Sequence, residues 1–436
     1  MKERINFPYA GMGILEVPDD NLIGVFSPSI AQAGTGEEEI IEEVFSHPVG
    51  SEPLLKRLKG CKKVLIVVDD YTRTTPVIKI LPRLLKELEI SGIKMDGIKI
   101  LIALGTHRQM SKEEITEKLG RDIPRQYAVL NHQWWEPSQL SYFGETEEGT
   151  PIFVNRLAEE TDFIIGIGQI VPHRVSGFSG GGNIIQPGIC GEATTGKTHW
   201  LAACFTGREI LGKIENPVKK EIEKVALKVG LKWIINVIQD GSGKLVTAVA
   251  GDPVQAYRAG AMRSTEMYRS QLPCEADIVI ADSYPYDSEL WLAAKGIYAS
   301  ELAVRQGGVV ILVSPCLAGI STSHPEVLEI GYNTFDEINR KVQEGEIKKL
   351  TVAAHLVHVG RVIKERARGV LVSPGITKDE AGKLGFIHAR EPQEALEIAF
   401  SILGHDAKVA VLQRGGEILP VIEEKNNSSP LLKETE

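Results

Sequence analysis

Residues 61 to 70 read CKKVLIVVDD, a compact and largely β-branched apolar run that stops at two aspartates. A run so short and so apolar fits a strand buried on both faces, as in a parallel sheet covered by helices. The pattern recurs in GIKILIALGTH (97–107), in residues 127–130 and in TDFIIGIGQIV (161–171). Helical stretches separate these runs at roughly 38–45, 76–89 and 111–120. Pro76 sits near a first turn, where a missing N–H is tolerated. Ser111 with Glu114 three residues on makes a capping box. Strand–helix alternation at this spacing predicts an α/β fold.

Residues 172–199, PHRVSGFSGGGNIIQPGICGEATTGKTH, break the rhythm. Glycine-rich chain is costly to order, which favours a site-building loop over filler. Helices resume at about 200–206 and 216–229. A strand follows at 244–250, then a helix reaching about 268. A second series begins at EADIVIADSYPYD (275–287), with strands in GGVVILVSP, RGVLVSPG and KVAVLQRGGEILP. Its helices read at 287–300, 332–345 and 391–402. The expectation is two α/β domains, 1–270 and 271–436, with mostly parallel sheets and an active-site cleft between them. The polar ending EEKNNSSPLLKETE reads as frayed.

Composition excludes several classes. The 436 residues are 43% hydrophobic and 25% charged, with a formal net charge of -9. That balance gives no support to a nucleic-acid partner. No apolar run reaches membrane-span length, and the N-terminus lacks a secretory pattern. The five cysteines are dispersed and form no CxxC pair, against a disulfide scaffold or zinc knuckle. Cys61 and Cys204 read as small packed hydrophobes. A reducing, cytoplasmic setting is the natural reading.

Polar residues cluster directly after strand cores, where open α/β sheets bind ligands. Asp69, Asp70, Thr72 and Arg73 follow one strand, Thr106, His107 and Arg108 the next, and His173 and Arg174 a third. Two histidines on opposite faces of a carbon centre can take and return a proton. Arg73 can grip a carboxylate bidentately. Asp70 can orient a histidine or bind a hydroxyl, and His199 can ligate a metal. Blander roles compete: Asp69 as a turn or capping residue, Arg108 and Arg174 as surface partners or phosphate grips, His132 as part of a packed aromatic loop. His355 and His358 have near-helical spacing but no third metal partner.

GEATTGKT (191–198) matches the phosphate-loop pattern GxxxxGK[ST]. Read literally, Lys197 reaches phosphates and Thr198 holds magnesium. The required leading strand is poor, because Pro187, Gly188 and Gly191 interrupt it. A phosphorylated or acidic ligand at a helix start remains a weaker version of the same idea.

DDYTRTTP, ALGTHR, GQIVPHRVSGFSGG, QPGICG and KTHW, taken together, resemble the nickel-dependent lactate racemase family. The resemblance covers most of the chain. It implies two α/β domains with the site between them, a nickel-pincer nucleotide, and racemisation or epimerisation of a 2-hydroxy acid or sugar acid. It assigns His107 and His173 as paired acid–base residues that handle the hydroxyl proton while hydride leaves and returns to the substrate carbon. It assigns Arg73 to the substrate carboxylate, Asp70 to support, and His199 to nickel. Thr72, Ser176, Ser179, Gly180, Gly181, Asn183 and Lys197 fall in the implied cofactor cradle. PYDSELWLAAK resembles a family segment whose lysine contacts the substrate carboxylate, which is Lys295 here. The aromatic and polar pair expected before it is Trp291 and Leu292, implying a more apolar or differently shaped pocket.

One departure stands out. The family carries a lysine ten residues after the second histidine, covalently linked to the cofactor; this chain has Asn183. Three outcomes follow: the cofactor is held non-covalently, Lys197 substitutes, or the cofactor is lost while related chemistry or binding is kept. The implied partners are a small hydroxy-acid or sugar-acid substrate and the cofactor-making proteins, with a homo-oligomer left open. The alternatives are a cofactor-free or nucleotide-dependent enzyme on the same loops, and a non-catalytic binder of small acids.

Overall fold

The computed structural model describes residues 1–31, 34 and 36–423. The polar ending beyond 423 lies outside the described residues. Two six-stranded sheets organise the chain. The first has strand order Leu245–Gly251, Leu231–Gln239, Phe163–Gln169, Val64–Asp69, Ile98–Ala103, Ala128–Asn131. Every pairing in it is parallel except Leu231–Gln239 with Leu245–Gly251. The second runs Ile387–Ala389, Ala367–Val372, Val304–Val313, Ala276–Asp282, Val409–Leu412, Leu22–Phe26, and is wholly parallel. The fold is therefore α/β with mostly parallel sheets.

Central strands are buried along their full length: Val64–Asp69 and Phe163–Gln169 have no exposed residue. Burial on both faces explains why they read as continuous apolar runs without alternation. Helix Lys112–Leu119 starts with the expected capping box of Ser111 and Glu114. Helices cover the sheet faces, and one apolar cluster joins residues of both sheets, such as Leu65 and Val67 with Val310 and Leu312.

Three features depart from the sequence reading. The first 26 residues do not all serve the first sheet. Leu22–Phe26 forms an edge of the second, and Leu15 and Val17 pack against it. Strand Leu231–Gln239 has no counterpart in the sequence reading, because its start follows directly on a helix whose C-cap is the left-handed Gly230. The helix expected from about 200 begins at Glu192 and runs to Ala203.

That last difference removes the phosphate loop. Gly191 is the extended N-cap and residues 192–198 are helical, so no backbone cradle exists there. The residues that match the pattern have packing roles instead. A Cβ on Gly196 would come within 3.0 Å of Leu350 Cβ on helix Leu350–Gly360, so glycine permits close helix approach. Thr194 Oγ1 accepts from the Phe153 N–H at 2.9 Å, and Thr198 bonds the Gln186 side chain. His199 consequently sits in the second half of this helix.

Candidate active site

His107 lies just past strand Ile98–Ala103, beside the turn that follows Val64–Asp69. Its Nδ1 is 2.7 Å from Asp70 Oδ2. The other carboxylate oxygen accepts from the Thr72 N–H at 3.0 Å and its hydroxyl at 2.6 Å. Thr72 Oγ1 in turn accepts from Arg73 Nη1 at 2.9 Å. Burial alone would raise the Asp70 carboxyl, but His107, Arg73 and Thr72 outweigh it and hold it at about 2. The turn is pinned by Lys118, whose Nζ donates to the carbonyls of Asp70 and Arg73, both at 2.8 Å, and pairs with Asp69 at 2.8 Å. With Nδ1 committed to a carboxylate, Nε2 of His107 is the nitrogen left for a ligand.

His173 has a different backing. Its Nδ1 is 3.1 Å from Ser176 Oγ and 3.3 Å from the Ser176 N–H. Ser176 Oγ also donates to the Phe178 carbonyl at 2.8 Å and accepts from Asn183 Nδ2 at 3.2 Å. Asn183 Oδ1 accepts from Lys219 Nζ at 2.7 Å. Lys219 comes from helix Pro217–Val229, is 1% exposed, and donates as well to the Gly180 carbonyl at 2.9 Å. Its Nζ lies 3.4 Å from the Tyr257 ring centroid. No carboxylate hydrogen-bonds to His173 among the described residues. Burial, then the charges of Arg73 and Lys295, push its imidazole well below the usual histidine range. The loop needs glycine where it is tightest: Gly180 has φ +83°, and a Cβ there would fall 2.6 Å from Ile170 Cγ1.

Arg73 and Lys295 flank one ring. Arg73 Cζ is 5.7 Å and Lys295 Nζ 3.1 Å from the centroid of Tyr286. Burial lowers the Lys295 amine well below its usual value, and Arg73 adds to this. The Arg73 guanidinium and the Lys295 amine, with no ion-pair partner among the described residues, offer hydrogen-bond donors to an anion. His199 Nδ1 is 2.9 Å from the Thr195 carbonyl one helical turn back. That bond fixes Nδ1 as the protonated nitrogen and leaves Nε2 as a lone-pair donor. Burial lowers this imidazole to about 4, so it stays neutral near pH 7 and able to bind a metal.

These groups meet in one cavity of about 150 Å³, lined by Arg73, His107, His173, His199 and Lys295 among others. A second cavity, of about 90 Å³, shares the walls of Arg73, His107 and His173 and adds Asp70, Thr72, Ser179, Gly180 and Asn183. The second sheet's helices close the first cavity. Trp291 stacks 3.9 Å from His355 and 4.3 Å from His324 by ring centroids. His355 is held by the hydroxyls of Tyr298 and Tyr332, each at 3.2 Å. Leu292 also lines this cavity.

Of the residues singled out from sequence, Asp70, Thr72, Arg73, His107, His173, Ser179, Gly180, Asn183, His199 and Lys295 line one or both cavities. Ser176 stands behind His173. Gly181 does not face either cavity: its N–H donates to Asn236 Oδ1 at 2.7 Å, and a Cβ would strike Tyr257 at 2.9 Å. Lys197 is exposed on the outer face of its helix and lines neither cavity, so it is not placed to replace a tether at residue 183. Cys204 is exposed and not packed. His132 is fully buried, bonding Cys190 O at 3.0 Å and Asn155 at 3.2 Å, a structural role. Lys219 and Lys118 escape sequence reading, because both sit in charged helical stretches that look solvated. Among the described residues, no group of three or more His, Cys, Asp or Glu side chains is arranged to hold a metal ion. Among them too, no helix is long and apolar enough to cross a membrane.

The comparisons agree over most of the chain. The profile of the Lactate racemase N-terminal domain matches residues 10–209 and that of the Lactate racemase C-terminal domain residues 271–419. A lactate racemase of Thermoanaerobacterium thermosaccharolyticum is 28% identical over 422 residues, covering 95% of this chain and 98% of the relative. One from Lactiplantibacillus plantarum is 28% identical over 429 residues, covering 94% and 98%. The structure of the T. thermosaccharolyticum lactate racemase apoprotein superimposes with a TM-score of 0.83 at 26% identity, covering 97% of this chain and all of that one. A Thermotoga maritima protein superimposes at 0.73, with 26% identity and coverage of 89% and 98%. With both halves matched in order and the fold shared end to end, the chain belongs to the lactate racemase family of enzymes.

Proposed function

We propose that the protein inverts the hydroxyl-bearing carbon of a 2-hydroxy acid or sugar acid, with His107 and His173 as a proton-handling pair. The observation that carries this reading is the convergence of both histidines, Arg73, Lys295 and His199 on one cavity. Arg73 and Lys295 bind the substrate carboxylate and so orient the neighbouring carbon. His173, neutral and backed by a hydroxyl, takes the proton of a substrate hydroxyl presented on its side. His107 has the Asp70 carboxylate as counter-ion and gives or takes the proton for the opposite configuration. Both histidines are half-buried on the cavity wall, which limits the access of water to the substrate held between them.

The residues present fit a nickel-pincer nucleotide. His199 offers one nitrogen with its tautomer fixed, and the scarcity of other protein donors suits a metal whose remaining ligands come from an organic group. Thr72, Ser179, Gly180 and Asn183 line the adjoining cavity that would receive its body. When bound, that group supplies the acceptor for the carbon's hydrogen, which histidines alone cannot. Asn183, already bonded to Ser176 and Lys219, offers no amine for a covalent link, so the reading is non-covalent attachment.

The test is co-production with the cofactor-making enzymes, followed by chiral analysis of several 2-hydroxy acids and intact-mass and nickel analysis. Interconversion is expected, with nickel and nucleotide retained under native conditions and lost on denaturation. No nickel and no interconversion would overturn the reading; a mass adduct that survives denaturation would overturn non-covalent attachment.

A further inference from the structure

Arg174 is 4% exposed, yet its guanidinium is only partly satisfied. Nη2 donates to the Phe205 carbonyl at 2.7 Å, while Nε and Nη1 have no hydrogen-bond partner. His358 is 3% exposed and neither of its ring nitrogens has one. Folded proteins rarely leave buried donors unmet, least of all charged ones. Both side chains line the cavity that holds Arg73 and Lys295, and no Asp or Glu is among the residues lining it.

The carboxylates whose charges bear on Arg174 are committed elsewhere. Glu301 accepts from the Gly207 N–H, at 2.9 and 3.1 Å, and Glu209 caps its own helix through Thr206 at 2.8 Å. Neither forms an ion pair with Arg174. The position also has a defined relation to the first anion site. Tyr298, three residues beyond Lys295 on helix Leu290–Ala303, packs edge-on to His358 with centroids 6.1 Å apart. Arg174 and His358 thus face the same cavity of about 150 Å³ as Arg73 and Lys295.

We propose that Arg174 and His358 form a second anion-binding subsite, and that the substrate is a short hydroxy acid bearing a second carboxylate. The proposal rests on the reading of Arg73 and Lys295 as the site of the first carboxylate. Of the two sources of a second anion, a substrate carboxylate and a phosphate, the shared cavity with Arg73 and Lys295 favours the carboxylate.

Calorimetric titration of the purified full-length chain with succinate, butyrate and inorganic phosphate tests this without any turnover. Succinate is expected to bind about tenfold or more tighter than butyrate. Arg174→Gln should bring succinate to the level of butyrate and leave butyrate unchanged, and His358→Gln should remove part of the preference. Should Arg174→Gln fail to fold, His358→Gln carries the test. Equal affinities, or a preference that survives the variants that fold, would overturn the proposal. Phosphate bound through Arg174 with no preference for succinate would overturn the assignment to substrate. Neither acid has a hydroxyl to invert, so Arg174-dependent succinate binding in a protein that racemises nothing would sink the proposed activity and leave the subsite standing.

Discussion

The two histidines of the site are near neighbours in function but are built from different parts of the molecule. His107 rests on a charged partner, Asp70, at the edge of the first sheet. His173 rests on a neutral relay, Ser176 to Asn183 to Lys219, that runs through the glycine-rich segment to a buried helix. A carboxylate gives an imidazole a counter-ion for its charged form, whereas a hydroxyl in a cationic pocket favours the neutral form. The pair is thus backed by unlike groups, a carboxylate behind His107 and a hydroxyl behind His173. An enzyme that must work from either enantiomer needs one donor and one acceptor at any moment.

The largest effect should come from removing either member. His107→Gln and His173→Gln should each lower turnover by about 10²–10⁴-fold in steady-state assays, with nickel content kept. His199→Gln should instead lose nickel first. If either histidine proves dispensable, the pairing fails.

The next step down separates the two backings. Asp70→Asn should cost about 10–100-fold in turnover, because the tautomer of His107 is no longer fixed by a carboxylate. The same variant has a pH signature in stability. The Asp70 carboxyl titrates at about 2 in the folded protein, below its value near 3.9 in an unfolded chain. Its contribution is therefore fully present above about pH 5 and is lost as pH falls from roughly 4 toward 2. Urea unfolding of wild type and Asp70→Asn should show a gap at pH 7 that narrows by pH 3; a gap that widens on acidification would contradict the assignment.

Lys219→Met probes the neutral relay. It strands the Gly180 carbonyl and Asn183 Oδ1, which should cost about 1–3 kcal/mol in urea unfolding. The acid limb of the turnover profile should move, since His173 loses its support. Unchanged pH dependence would reduce Lys219 to a packing residue. Smallest of all, Lys197→Ala should change neither turnover nor stability by more than about 0.5 kcal/mol, as an exposed residue off both cavities.

What the sequence discloses follows the same division. Buried parallel strands announce themselves as short β-branched runs, so Asp70, Arg73 and His107 are legible as strand-end residues from the amino-acid order alone. The glycine-rich segment has no periodicity, and its bonds follow no regular helix or strand spacing. Ser176 behind His173, and Lys219 reaching Asn183 across 36 positions, cannot be read from spacing. Helix Glu192–Ala203 is masked because Thr194, Gly196 and Thr198 are poor helix formers kept for packing against neighbouring elements. Arg108 and Arg174 look alike in sequence, each following a catalytic-type histidine. One is exposed and pairs with Glu114 at 2.7 Å; the other is buried on the cavity. Only tertiary burial tells them apart.

The most direct test of the histidine pair asks which hydrogen it moves. Racemisation of a 2-hydroxy acid run in deuterium oxide, with the C2 position read by NMR, distinguishes the hydroxyl proton from the hydrogen on carbon. If His107 and His173 handle only the hydroxyl proton, the inverted product keeps its original protium at C2. Deuterium accumulating at C2 in step with inversion would mean that the histidines abstract the carbon's own proton, and would contradict the account.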